Sequence, residues 1–132
     1  MLRVRYGAFA LAVAIAAMIV IAVAQATVVS HLRSATITVQ NGSLPPPYGR
    51  AHVYRYTTRA KVAKLTKALK ANHIAARHPT SSRGCAGGFN VTLKLVGHTT
   101  RKLTAYECGG RNYGAIAGDV TGLLSTLGIS AP

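Results

Sequence analysis

Negative charge is what this sequence has least of. Glu107 and Asp119 are its only acids, set against sixteen lysines and arginines, and the formal net charge is +14. That shortage removes the usual raw material of acid–base catalysis. Hydrolysis by paired carboxylates needs two acids flanking one bond, and metal sites built on histidine want carboxylate support. The histidines, His31, His52, His73, His78 and His98, are scattered. They lack the i,i+2 or i,i+4 spacing that puts two ligands on one side of a strand or helix. They read as exposed side chains, and no metal or other cofactor is expected. Cysteine is scarce too. Cys85 and Cys108 stand alone, without the two further ligands at short spacing that zinc would want. The serines lack a nucleophile elbow. The glycine-rich GCAGG at 84–88 precedes a strand pattern, whereas phosphate-cradling loops precede a helix. No catalytic residue is nominated, and the chain reads as a non-enzyme. Glu107 at a strand end and Asp119 early in the last helix take structural roles, the latter favourable to the helix dipole.

A long apolar run occurs once. Arg3 and Arg5 precede an uncharged stretch from Gly7 to Ala24, followed by the small-x-small site Ala24-Gln25-Ala26. This is the pattern of an export signal cut before Thr27. The same run, at about 1.5 Å per helical residue, would span roughly 27 Å and serve as an uncleaved membrane anchor. In both readings the arginines stay inside and the remainder lies outside the cytoplasm, secreted or tethered. Residues 1–26 carry two arginines and no acid, so the exported part keeps +12. Export also bears on the cysteines. Two of them in an oxidising compartment suggest a Cys85–Cys108 disulfide. Closing that loop would stabilise the fold by about 3.4 kcal/mol in the chain-entropy model.

The chain is long enough for one domain. Residues 27–50 read as an extended tether: SATITVQ (34–40) alternates as a strand or extended arm, and the proline triplet 45–47 forms a stiff spacer. Residues 51–132 read as the domain. AHVYRYT (51–57) is a strand with His52, Tyr54 and Tyr56 on one side. A helix capped by Thr57 or Thr58 runs to about Asn72, and 73–88 is a loop. FNVTLKLV (89–96) is a strand with Phe89, Val91, Leu93 and Leu95 facing in. GHTT (97–100) turns into a second strand at 101–108, and GGRNYG (109–114) turns again or adds a short edge strand. Residues 115–129 space Ile116, Val120, Leu123, Leu124 and Leu127 as a helix. The expected fold class is α+β, in β-α-β-β-α order, with an extra strand allowed at either end. The economical packing is a small antiparallel sheet with both helices on one face and one disulfide.

What remains is positive charge. Lys61, Lys64, Lys67 and Lys70 recur at every third position of the first helix. A step of three lags by about 60° per repeat, so they fan across about 180° and do not form a stripe. With Arg59, Arg101 and Lys102 they are the candidate polyanion-binding residues; Arg77, Arg83, Lys94 and Arg111 add to the charge. Tyr54 and Tyr56 flank Arg55, a thin version of the aromatic–basic pattern of nucleic-acid modules. No helix-turn-helix, zinc-finger or RNA-recognition motif is present.

From VYRYTTRAKVAKLTKALKAN through GCAGGFNVTLKL to LTAYECGG and AGDVTGLLSTLG, the chain resembles a group of small exported proteins of uncharacterised function from high-GC Gram-positive bacteria. Val62, Leu65 and Leu69, then Cys85 and Cys108, then Leu123, Leu124 and Leu127 match that group's layout, over roughly residues 50–128. The resemblance implies an envelope or secreted domain and supplies no catalytic residues. Many of the group resemble lipoproteins and are richer in Asp. This chain departs from them in having no cysteine after the apolar run and in its cationic balance.

Three functions are therefore expected in turn. The first is an exported, non-catalytic structural or binding domain of the cell envelope. The second is a cationic module for extracellular DNA, teichoic acid or an anionic lipid surface. The third is a secreted enzyme inhibitor presenting segment 73–84. An uncleaved Gly7–Ala24 run would add a membrane contact. A rival account of the charge is an acidic habitat, where shedding Asp and Glu avoids the destabilisation that comes with protonating native carboxylates.

Overall fold

Alternating side chains decide most of the architecture, because successive residues of a strand face opposite sides of the sheet. Ser34–Asn41 (β1) puts Ala35, Ile37 and Val39 on one side, and Phe89–Val96 (β4) does the same with Phe89, Val91, Leu93 and Leu95. All seven are buried. The computed structural model, which describes residues 31–42, 49–81 and 87–132, pairs these strands antiparallel, Ile37 opposite Leu93 and Val39 opposite Val91. Four further strands, Ala51–Tyr56 (β2), Ala75–Thr80 (β3), Thr100–Cys108 (β5) and Arg111–Ala117 (β6), complete one antiparallel sheet in the order β2-β1-β4-β5-β6-β3.

Two helices, Arg59–Ala71 (α1) and Val120–Leu127 (α2), cover the apolar face of this sheet. Val62, Leu65, Ala68 and Leu69 of α1 and Val120, Leu123, Leu124 and Leu127 of α2 are buried against it. Burying each of the larger aliphatic chains contributes roughly 1.5–3 kcal/mol. The helix ends follow from local chemistry. Thr58 Oγ1 accepts from Lys61 N (3.3 Å) to cap α1. At its other end His73 takes a left-handed φ of 53°, with His73 N donating to Lys70 O (3.1 Å) and Ile74 N to Leu69 O (2.9 Å). That is a Schellman ending. Asn72 then ties the helices together: its Nδ2 donates to Ala68 O (2.8 Å) and Thr126 Oγ1 (3.3 Å), and its carbonyl accepts from Asp119 N (2.9 Å).

The α+β class, the antiparallel sheet and the inward-facing residues of β4 agree with expectation, while the element assignment is corrected in two places. Residues 34–41, expected as a strand or extended arm within the tether, form a strand paired on both sides, the extra strand allowed at the amino end, and the folded unit begins at Leu32. Their threonines alternate with apolar residues, which suits a sheet with one wet face. Segment 73–88, expected as a loop, contains the edge strand β3, paired with β6 through an irregular register between Ala76 and Thr80. Within segment 73–84, the stretch an inhibitor would present, residues 75–80 are strand, and 82–84 lie outside the described residues. Residues 115–117, expected in the last helix, belong to β6, which sits between β5 and β3 and is not an edge. Gly118 separates it from α2 with a φ of 102° that only glycine adopts readily, close against the carbonyls of Asn72 and His73. The order is thus β-β-α-β-β-β-β-α. The signal or anchor at 1–26, the proline triplet, Arg83 and Cys85 lie outside the described residues. Among the described residues no helix is long and apolar enough to cross a membrane.

Candidate anion-binding face

The second face of the sheet carries what the core excludes. Register alone assigns its rows, since residues directly opposite on antiparallel strands share a face. One row runs Arg55, Thr36, Lys94, Lys102 across β2, β1, β4 and β5. The next is Val53, Thr38, Thr92, Thr104, and the third is Ala51, Gln40, Asn90, Tyr106, Tyr113. None of these side chains is buried, and Val53 is 48% exposed, the one large apolar side chain so exposed among the described residues. Thr92 and Thr104 hydroxyls lie 3.4 Å apart. Among the described residues, no helix packs over this face.

The first row is the electrostatic feature of the face. Three of its four members are cationic, and Lys94 and Lys102 are direct cross-strand neighbours, with Cα atoms about 4.5–5.5 Å apart. Like charges so placed are unfavourable by a few tenths to about 1 kcal/mol. Arg55 lies two strands from Lys94, roughly 10 Å away. No acid relieves the row, because Glu107 pairs with Phe89 on the core side and Asp119 precedes α2.

Beside the row is an open depression of about 450 Å³, lined by Lys102, Thr104, Tyr106, Tyr113 and Asn90 together with Pro79 and Thr80 of β3. Its geometry depends on an irregularity in β6. Gly114 has a φ of 97°, and a Cβ there would run into Thr104 O and come within 3.2 Å of Ala105 Cα. Arg77 spans the break in the β3–β6 ladder, Nε donating to Gly114 O (3.1 Å) and Nη2 to Asn112 O (2.8 Å) and Asn112 Oδ1 (2.6 Å). Thr80 Oγ1 accepts from Gly114 N (3.2 Å). Arg77 thus acts as a brace for β6. Tyr106 packs over Gly42 and Gly88, where a Cβ at Gly88 would collide with its hydroxyl end.

The structure does not gather the seven residues nominated from sequence. Arg59, Lys61, Lys64, Lys67 and Lys70 are all exposed on α1, on the helix side of the sheet. Arg101 stands opposite Leu95 and faces that same side, whereas Lys102 stands opposite Lys94 on the open face. Tyr54 and Tyr56 pair with Ile37 and Ala35 and belong to the core side, leaving Arg55 alone on the open face. Tyr56 is buried, and burial, with Tyr54 beside it, pushes its hydroxyl pKa up. Among the described residues, the aromatics on the open face are Tyr106 and Tyr113, which sequence reasoning did not single out. The period-two alternation of Lys102, Thr104 and Tyr106 was the available signal.

The two acids meet at another corner, around a cleft of about 270 Å³ lined by Glu107, Gly110, Asn112, Gly118, Asp119 and Val120. Asp119 Oδ1 accepts from Gly122 N (2.7 Å), the N-cap of α2. Burial raises the pKa of Glu107; the Thr121 hydroxyl, donating to its carboxylate, opposes this, and the negative charge of Asp119 adds to it. The Glu107 carboxylate thus links β5 to α2 through Thr121, while that of Asp119 caps α2 itself. Among the described residues no three His, Cys, Asp or Glu side chains are grouped to hold a metal ion. Cys108 ends β5 and is not a free thiol, while its expected partner Cys85 lies outside the described residues. No family model matches the chain, and neither does any curated protein or solved structure.

Proposed function

We propose that this chain is an exported, non-catalytic binding domain that holds an anionic polymer on the open face of its sheet. The observation that carries the reading is the row Arg55–Thr36–Lys94–Lys102. A sheet gains nothing in stability from like charges placed in direct cross-strand opposition, and a polyanion laid across the row offsets that repulsion. The amino-terminal pattern at 1–26 supports delivery outside the cytoplasm, and the Cys85–Cys108 disulfide belongs to the same reading. The α1 lysines contribute a diffuse field that speeds encounter, since they spread over the solvent arc of the helix. A salt titration tests this. Affinity for an anionic polymer falls steeply with salt, and removing any one of Arg55, Lys94 or Lys102 lowers the log–log slope by about 1. A slope that the three substitutions leave unchanged contradicts it.

A further inference from the structure

The depression beside the cationic row holds a feature that a purely electrostatic site does not need. Tyr106 and Tyr113 stand directly opposite one another on β5 and β6, both on the uncovered face, with Asn90 on the other flank of Tyr106. Lys102 lies four residues before Tyr106 on the same side of β5, roughly 13 Å away along the strand. Two phenol rings, an amide edge and an ammonium therefore line one open hollow of about 450 Å³. We propose that this hollow is a base-stacking subsite and that the polymer held on the face is single-stranded nucleic acid. The proposal rests on the anion-binding reading of the same face and deepens it.

Charge and shape together favour this ligand. Sheets that bind single strands leave one face open and stack unpaired bases on aromatics of neighbouring strands, while basic side chains follow the phosphates. A polymer of phosphate without rings would use Lys102, Lys94 and Arg55 and make no use of the tyrosines. A duplex would hide its bases and offer only its backbone. The face carries no acid to repel phosphates, because both carboxylates of the chain are placed elsewhere. Base–aromatic stacking adds about 1–3 kcal/mol per base, which is about 5- to 150-fold in affinity.

The test compares two probes of matched charge on the full chain, a single-stranded oligothymidylate and inorganic polyphosphate. The chain has no tryptophan and six tyrosines, two of them in the hollow, so the part of the tyrosine quenching that Tyr113→Leu removes reports stacking there. The expected result is oligothymidylate binding at least about 5-fold tighter than polyphosphate, with quenched tyrosine emission. Tyr113→Leu brings oligothymidylate down to the polyphosphate level, while Tyr113→Phe, which keeps the ring, retains the preference. Equal affinity for the two probes, with no quenching, overturns the stacking subsite and leaves the anion-binding face standing. Failure of both probes to bind at low salt overturns both.

Discussion

Lys94 on β4 and Lys102 on β5 stand directly opposite each other on the sheet face that the described helices leave uncovered. An arrangement that stability alone would not choose predicts a trade-off. Lys102→Glu turns the repelling pair into an attracting one and raises unfolding free energy by about 0.5–1 kcal/mol. The same change weakens binding of anionic polymer at least tenfold at low salt. Urea unfolding and a binding titration on one variant check both halves.

Gly114 predicts a sharp difference between two glycine substitutions. Gly114→Ala forces a Cβ onto the β5 backbone from a residue at φ 97°, and costs about 3 kcal/mol or more. Gly110 also has a positive φ, 75°, but a Cβ there meets nothing within 4 Å. Gly110→Ala costs about 1 kcal/mol, the left-handed penalty alone. Denaturant midpoints of the two variants measure the difference.

Glu107 predicts how stability varies with pH. Burial, then the nearby charge of Asp119, raises its folded pKa above the unfolded value, with the Thr121 hydrogen bond opposing. The native state therefore holds the proton more tightly than the unfolded chain does. Its contribution is fully present below the ordinary carboxylate range and is lost as pH rises through the raised folded value. Glu107→Gln, neutral at every pH, removes that decline and stabilises the protein most near neutrality. Thermal unfolding of both proteins across pH 4 to 8 gives the slopes. Stability that declines in acid is the usual pattern where native carboxylates are paired; this group opposes it.

The proposed bridge predicts an intact mass two hydrogens below that of the reduced chain, with no alkylation before reduction. Replacing both cysteines by serine costs about 3.4 kcal/mol.

Much of the fold was legible in the sequence because apolar residues alternate cleanly in β4 and recur at helical spacing in α1 and α2. The cationic row was not legible, for a reason of register. A four-residue turn at 97–100 would have set Val96 opposite Arg101 and Lys94 opposite Leu103. The observed turn is one residue shorter, with Val96 opposite Thr100 and Gly97 N donating to Thr99 O (3.0 Å). A one-residue slip exchanges the faces of a whole strand, so the opposition of Lys94 and Lys102 depends on that turn. β3 was hidden for another reason. ARHPT places a proline and two basic residues on an edge strand, a composition that reads as loop. The lysines of α1 drew attention because they are regular, yet Val62, Leu65 and Leu69 had already assigned them to the solvent side of the helix.

The central claim is that binding belongs to the sheet face and does not follow from net charge. Two triple variants of the full chain test it: Arg55→Gln/Lys94→Gln/Lys102→Gln on the sheet and Lys61→Gln/Lys64→Gln/Lys67→Gln on α1. Each lowers the net charge by three, so long-range attraction is matched between them. The decisive measurement is the affinity of both for the same anionic polymer at one salt concentration. The account predicts that the sheet variant loses binding while the helix variant stays within a few-fold of the parent. Equal losses in the two variants, or a greater loss in the helix variant, would contradict it.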